Sequence, residues 1–200
     1  MLTVASRFYL YDISSVFMLA LVISLRSSFA AKQMVGAILA GVFASSFWPM
    51  ARELCLIGSV KPFFTSVYLQ VAIFVGAILG AYLGKFSLRD TIFVWAQVLS
   101  ISLLATFGFL CGVQHLSVPA ALLLSMFLCI LPDFISDLII GDAARFVDES
   151  SYVLRAMLGA ILAAAIYLYL PRLGYQLPFD IFALAAGLIL PLSLQFFQPK

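Results

Sequence analysis

Two short segments carry the residue types that could do chemistry in an otherwise apolar chain. Ser45-Ser46-Phe47-Trp48-Pro49-Met50-Ala51-Arg52-Glu53 lies at the end of one apolar run, and Cys129-Ile130-Leu131-Pro132-Asp133-Phe134-Ile135-Ser136-Asp137 lies in another. Each holds a proline, which removes a backbone donor and clashes with the preceding helical turn. Pro49 and Pro132 are therefore expected to bend or break their helices and to free carbonyls, which at membrane depth are tolerated only beside protein or a water-filled cavity. On a helix, Ser45, Trp48 and Arg52 share a face at steps of three and four. Asp133 and Asp137 also share a face, and their mutual repulsion calls for a cation or an Arg. Ser100, Ser102 and Thr106 either line a path or bond to their own helix backbone. These groups suit the passage of a small cation or polar solute. They do not suit catalysis: there is no Ser-His-Asp grouping, phosphate-cradling glycine loop or second His, and paired catalytic carboxylates usually approach from separate elements. No enzyme activity, cofactor or metal centre is expected.

The elements that position these residues are membrane spans. Hydrophobic residues make up 64% of the 200-residue chain and charged residues 10%, against roughly 25% charged in a soluble domain. So apolar a chain has too little interior to hide its surface from water, which excludes a soluble enzyme, a disordered chain and a nucleic-acid-binding module. The net charge of +2 points to no polyanionic partner. Cys55, Cys111 and Cys129 sit in apolar runs at no metal-like spacing and are expected as buried free thiols. His115 belongs to an interfacial loop. No removed signal peptide is expected, because the first apolar run lacks a small-residue cleavage site.

A spanning helix needs about 20 mainly apolar residues. Seven stretches fit: Phe8–Leu25, Gln33–Met50, Phe63–Gly84, Thr91–Gly112, Val118–Ile140, Tyr152–Leu170 and Phe179–Phe197. Between Thr91 and Pro132 the only Asp, Glu, Lys, Arg or His is His115, so two spans meet at Gly112-Val113-Gln114-His115, with Pro119 opening the second. Gly76-Ala77-Ile78-Leu79 recurs as Gly159-Ala160-Ile161-Leu162, preceded by Ser66 and Tyr68 in one case and Ser151 and Tyr152 in the other. Two inverted three-span repeats (8–84 and 91–170) plus a seventh helix (179–197), forming one transmembrane domain, account for this. Arg7, Arg52, Lys61 and Arg172 fall on one side; Arg26, Lys32, Lys85, Arg89, Arg145, Arg155 and Lys200 fall on the other. The positive-inside rule then puts the N-terminus outside and the C-terminus in the cytoplasm. Gly76, Gly80 and Gly84 form a small-residue ladder suited either to subunit contacts or to packing within the subunit.

At this point the chain resembles the prokaryotic trimeric intracellular cation channels (TRIC) and the related bacterial inner-membrane proteins proposed to carry glycine. Each repeat of that family carries G-G-G-x-x-[RK]-D, then leucines and a glycine. The corresponding stretches here run from Phe47 to Gly58 and from Leu131 to Gly141. Asp12, Gly36 and Gly112-Val113-Gln114 also match, and the resemblance covers about Tyr9 to Phe197. The glycine triads are absent, with prolines in their stead. The basic residue is kept as Arg52 and replaced by Ser136, and the acidic one is kept as Glu53 and Asp137. Phe47 and Trp48, where glycines belong, narrow the path. The resemblance implies a seven-helix subunit in the inner membrane, in a homotrimer with one pore per subunit, passing monovalent cations such as K⁺ between broken second and fifth helices. A carrier of a small zwitterion such as glycine is the alternative, and a non-conducting scaffold subunit a third. Across the repeat axis Arg52 is expected to meet Asp133 or Asp137. The competing expectation is that it reaches the outer interface and pairs with Glu53 or lipid headgroups.

Overall fold

The computed structural model describes residues 4–31, 33–85, 89–140 and 151–169, and these form helices joined by short turns. The helices are α1 (Val4–Ala31), α2 (Met34–Ile57), α3 (Lys61–Thr65), α4 (Val67–Leu83), α5 (Arg89–Gly112), α6 (Val118–Ile140) and α7 (Ser151–Tyr169). By length and composition Tyr9–Phe29, Met34–Ile57 and Val118–Ile140 are able to cross a bilayer, while Val67–Leu83 and Leu99–Gly112 are shorter apolar helices. The turn between α5 and α6 falls where the sequence predicts it. The expected third span is two helices, because Ser66 is extended between α3 and α4. The expected seventh span, Phe179–Phe197, lies outside the described residues.

Helix α1 is the axis of the bundle and packs against α2, α4 and α5; α5 in turn packs against α6 and α7. Val16, Leu19, Ala20 and Ile23 of α1 enter a core shared with Ala44 and Trp48 of α2, Ile73 and Ala77 of α4, Leu104 of α5 and Leu128 of α6. The glycine ladder serves this packing. A Cβ on Gly76 would strike the carbonyl oxygen of Phe17, and one on Gly80 the carbonyl of Leu21. The ladder therefore seats α4 on α1 within the subunit. Small residues allow the close approach that holds membrane helices together. Ser24 locks the same junction, its Oγ lying 3.0 Å from the carbonyl oxygen of Ala37 and 2.7 Å from that of Ala77.

The opposite faces are apolar and exposed. Val35, Leu39 and Phe43 of α2, Tyr68, Phe74 and Tyr82 of α4, and Leu123, Phe127 and Leu138 of α6 all lie outside. Large apolar side chains pointing outward over a packed interior are what hydrocarbon as the solvent selects. Cys55 belongs to this exposed surface, contrary to its expected burial, whereas Cys129 is buried and Cys111 partly so.

Helices α2 and α6 bury themselves in the same register. Six of the eight buried residues of α2 pair with buried residues of α6 at one constant offset: Ala37 with Ala121, Gly41 with Ser125, Ala44 with Leu128, Ser45 with Cys129, Trp48 with Pro132, and Arg52 with Ser136. The two prolines are one position out of step, since Pro49 then falls opposite Asp133. Neither proline breaks its helix, a correction to the sequence reading: α2 is continuous through Pro49 and α6 through Pro132. Proline removes one N–H, so only the carbonyl four residues back loses its bond. The bonds on either side carry the helix across.

Candidate functional site

Buried charge concentrates at two levels of the bundle. The first is built on the last turns of α2, where Ser45, Trp48 and Arg52 share one buried face as their spacing requires. Ser45 is self-satisfied, its hydroxyl donating to the Gly41 carbonyl at 2.6 Å, and Ser46 does likewise to Val42 at 2.7 Å. That back-bonding to the preceding turn lets a hydroxyl sit in an apolar helix without a tertiary partner. Arg52 reaches across to α1. Its two terminal nitrogens donate to the two carboxylate oxygens of Asp12 at 2.5 and 3.0 Å, and one also donates to Oε1 of Glu53 at 2.6 Å. The guanidinium lies 4.9 Å from the centroid of Trp48 and 5.4 Å from that of Phe107 on α5, two rings whose centroids are 5.8 Å apart and which pack against it together. A bidentate fork beside aromatic rings is a geometry that makes a buried guanidinium tolerable.

The second level lies about 21 Å further along α1, by the helical rise from Asp12 to Arg26. There Arg26, buried, places a nitrogen 2.8 Å from Asp137 and another 4.0 Å from Asp133, both on α6. The two aspartates meet a cation, as their shared face demands. Ser136 on the same turn of α6, with Gln97 and Ser100 of α5, is buried and has no hydrogen-bond partner among the described residues for Ser136 Oγ, Gln97 Nε2 and Ser100 Oγ. Thr106 Oγ1 and Trp48 Nε1, between the two levels, are in the same condition. Buried polar atoms of this kind are normally satisfied by water or ligand.

The expected pairing of Arg52 with Asp133 or Asp137 is thus replaced. Arg52 is engaged by Asp12 and Glu53, and Arg26 takes the α6 carboxylates. The cause is α1, which runs through the centre of the bundle and presents an acid to α2 at one level and a base to α6 at the other. Sequence reasoning missed Arg26 because it was counted as a loop charge beyond a span ending at Leu25, whereas α1 continues to Ala31. The signal was available: Ser27-Ser28-Phe29-Ala30-Ala31 carries no charge and no helix breaker. Asp12 was visible as a motif match, but nothing in the sequence connected it to Arg52. Among the described residues no group of three or more His, Cys, Asp and Glu is placed to hold a metal ion.

A cavity of about 500 Å³ opens beside the Arg52 level, reached by Asp12, Arg52, Glu53, Phe107 and the α5–α6 turn at Gln114 and His115. No protein-family model matches the sequence, and no curated protein is similar to it in sequence. Among solved structures the chain is similar to the TRIC trimeric intracellular cation channel orthologue from Rhodobacter sphaeroides, with a TM-score of 0.77 and 19% identity over 96% of each chain. At that identity the similarity establishes the fold, an all-α membrane architecture.

Proposed function

We propose that this protein conducts monovalent cations, K⁺ among them, across the inner membrane as a homotrimer with one path per subunit. The path follows α2 and α6, flanked by α1 and α5, and the two proline-bearing helices line it without being broken. The observation that carries this reading is the chain of buried polar groups through the bundle. It runs from Asp12 and Arg52, with half-buried Glu53, past Thr106 and Ser100, to Ser136, Arg26 and Asp137, with half-buried Asp133. Among the described residues two carboxylates face one guanidinium at each level, and intramembrane ionisable residues mark ion pathways. The TRIC neighbour, a cation channel by name, supports the same assignment. The shared burial register of α2 and α6 supports the inverted-repeat plan, with repeats over 8–84 and 91–170 and a seventh helix over 179–197. The charge asymmetry of the loops supports an outside N-terminus and a cytoplasmic C-terminus.

One observation favours a second reading. Ion pairs cross the bundle at both levels, and a path latched at two ends suits a carrier of a small zwitterion such as glycine, in which access alternates. Planar-bilayer recording of purified protein in KCl, beside uptake of labelled glycine in proteoliposomes, separates the two. Discrete K⁺ currents support the channel. Saturable uptake without currents supports the carrier, and neither result identifies a scaffold subunit.

A further inference from the structure

The cavity at the Arg52 level has a chemical character of its own. Its described lining contains two carboxylates, Asp12 and Glu53, and one guanidinium, with no further Asp, Glu, Lys or Arg. Arg52 takes both oxygens of Asp12 and one oxygen of Glu53. Among the described lining residues, with His115 counted as neutral, one negative charge is therefore in excess. Much of the remaining wall is aromatic or aliphatic, from Tyr9, Leu56, Ile57 and Phe107. The volume, about 500 Å³, falls within the range of about 300–1,000 Å³ typical of small-molecule sites and far exceeds a bare inorganic ion. A hydrated metal cation gains nothing from Leu56 and Ile57, and stripping its water against them is costly. An organic ammonium ion answers both halves of the wall. Its N–H groups satisfy the surplus carboxylate, and its apolar part covers the aliphatic and aromatic residues.

We propose that this cavity binds a small organic ammonium ion carrying a short apolar group, its nitrogen held by Glu53 with Asp12 and its apolar part against Tyr9, Leu56, Ile57 and Phe107. The cavity stands at one end of the proposed path, so an occupant obstructs cation flux. That consequence rests on the transport reading, whereas binding itself does not.

Isothermal titration of the purified full chain with methyl-, ethyl- and n-butylammonium chloride tests it. Affinity is expected to rise about three- to fourfold per added methylene. Glu53→Gln is expected to weaken all three by about tenfold or more. Leu56→Ala is expected to weaken butylammonium and leave methylammonium unchanged, with gel filtration and circular dichroism confirming that both variants fold. Absence of butylammonium binding to the unmutated chain, affinity independent of chain length, or unaltered binding in a folded Glu53→Gln variant would each overturn the proposal. Binding by a chain that passes no K⁺ in the bilayer upholds this site and refutes the channel.

Discussion

Among the described residues the Arg52 and Arg26 levels each join one guanidinium to two carboxylates, in opposite senses. At Arg52 the cation comes from α2 and crosses to an acid on α1; at Arg26 the cation comes from α1 and crosses to acids on α6. The first pair is bidentate and packed against two contacting rings. The second is one close contact and one at 4.0 Å, with unpartnered hydroxyl and amide groups around it. Helix α1 is the common strut, contributing one member to each. The shared burial register of α2 and α6 puts Ser136 where Arg52 stands, so the cation that meets α6 at the second level comes from α1. The lesson is that a charge balance can be kept while the residue supplying it moves to another helix.

This comparison can be broken by experiment. The largest effect is expected from Asp12→Ala, which leaves Arg52 buried beside Glu53 alone. Breaking a buried pair by removing one partner costs about 3–5 kcal/mol, read as a lowered unfolding temperature in detergent. Adding Arg52→Met to Asp12→Ala is expected to return a large part of the loss, because the orphaned charge goes with it. Simple additivity of the two changes would show that the residues are not coupled.

Arg26→Met should be destabilising by a smaller amount, about 2–3 kcal/mol, because one of its two contacts is long and hydrogen bonds to charged groups contribute about 1.5–3 kcal/mol each. Asp137→Asn is expected to rescue Arg26→Met in part and to do nothing for Arg52→Met. Rescue of both by Asp137→Asn would mean that the two levels are one network.

Trp48→Leu sharpens the contrast by removing one of the two rings packed against Arg52. A loss of about 1–3 kcal/mol from cavity and cation–π terms is expected, and it should shrink in an Arg52→Met background. Equal losses in both backgrounds would reduce Trp48 to a packing residue.

The smallest effects distinguish satisfied from unsatisfied hydroxyls. Ser125 Oγ donates to the Ala105 carbonyl at 2.6 Å, and Ser125→Ala is expected to cost about 1 kcal/mol. Ser136 has no such partner among the described residues, so Ser136→Ala is expected to cost less, while altering cation flux if the path passes there. A Ser136→Ala variant less stable than Ser125→Ala would point to an ordered water bound as tightly as a protein partner.

Much was legible in the sequence alone: an all-helical membrane chain, the α5–α6 turn at Gly112–His115, the shared face of Ser45, Trp48 and Arg52, and the need of Asp133 and Asp137 for a cation. These follow from hydropathy, helical periodicity and the cost of like charges, which act within one element and leave their mark on consecutive residues. Three outcomes belonged to the tertiary structure: that Pro49 and Pro132 bend no helix into two pieces, that Gly76 and Gly80 close on α1 and not on another subunit, and that Arg52 finds Asp12 while Arg26 finds Asp137. Each depends on which helix lies beside which, and at what depth. Arg52 and Asp12 are far apart in the chain, and no local spacing records that α1 runs through the centre of the bundle. The partner of a buried charge is chosen by packing, because the nearest opposite charge in space is the one that removes the desolvation penalty.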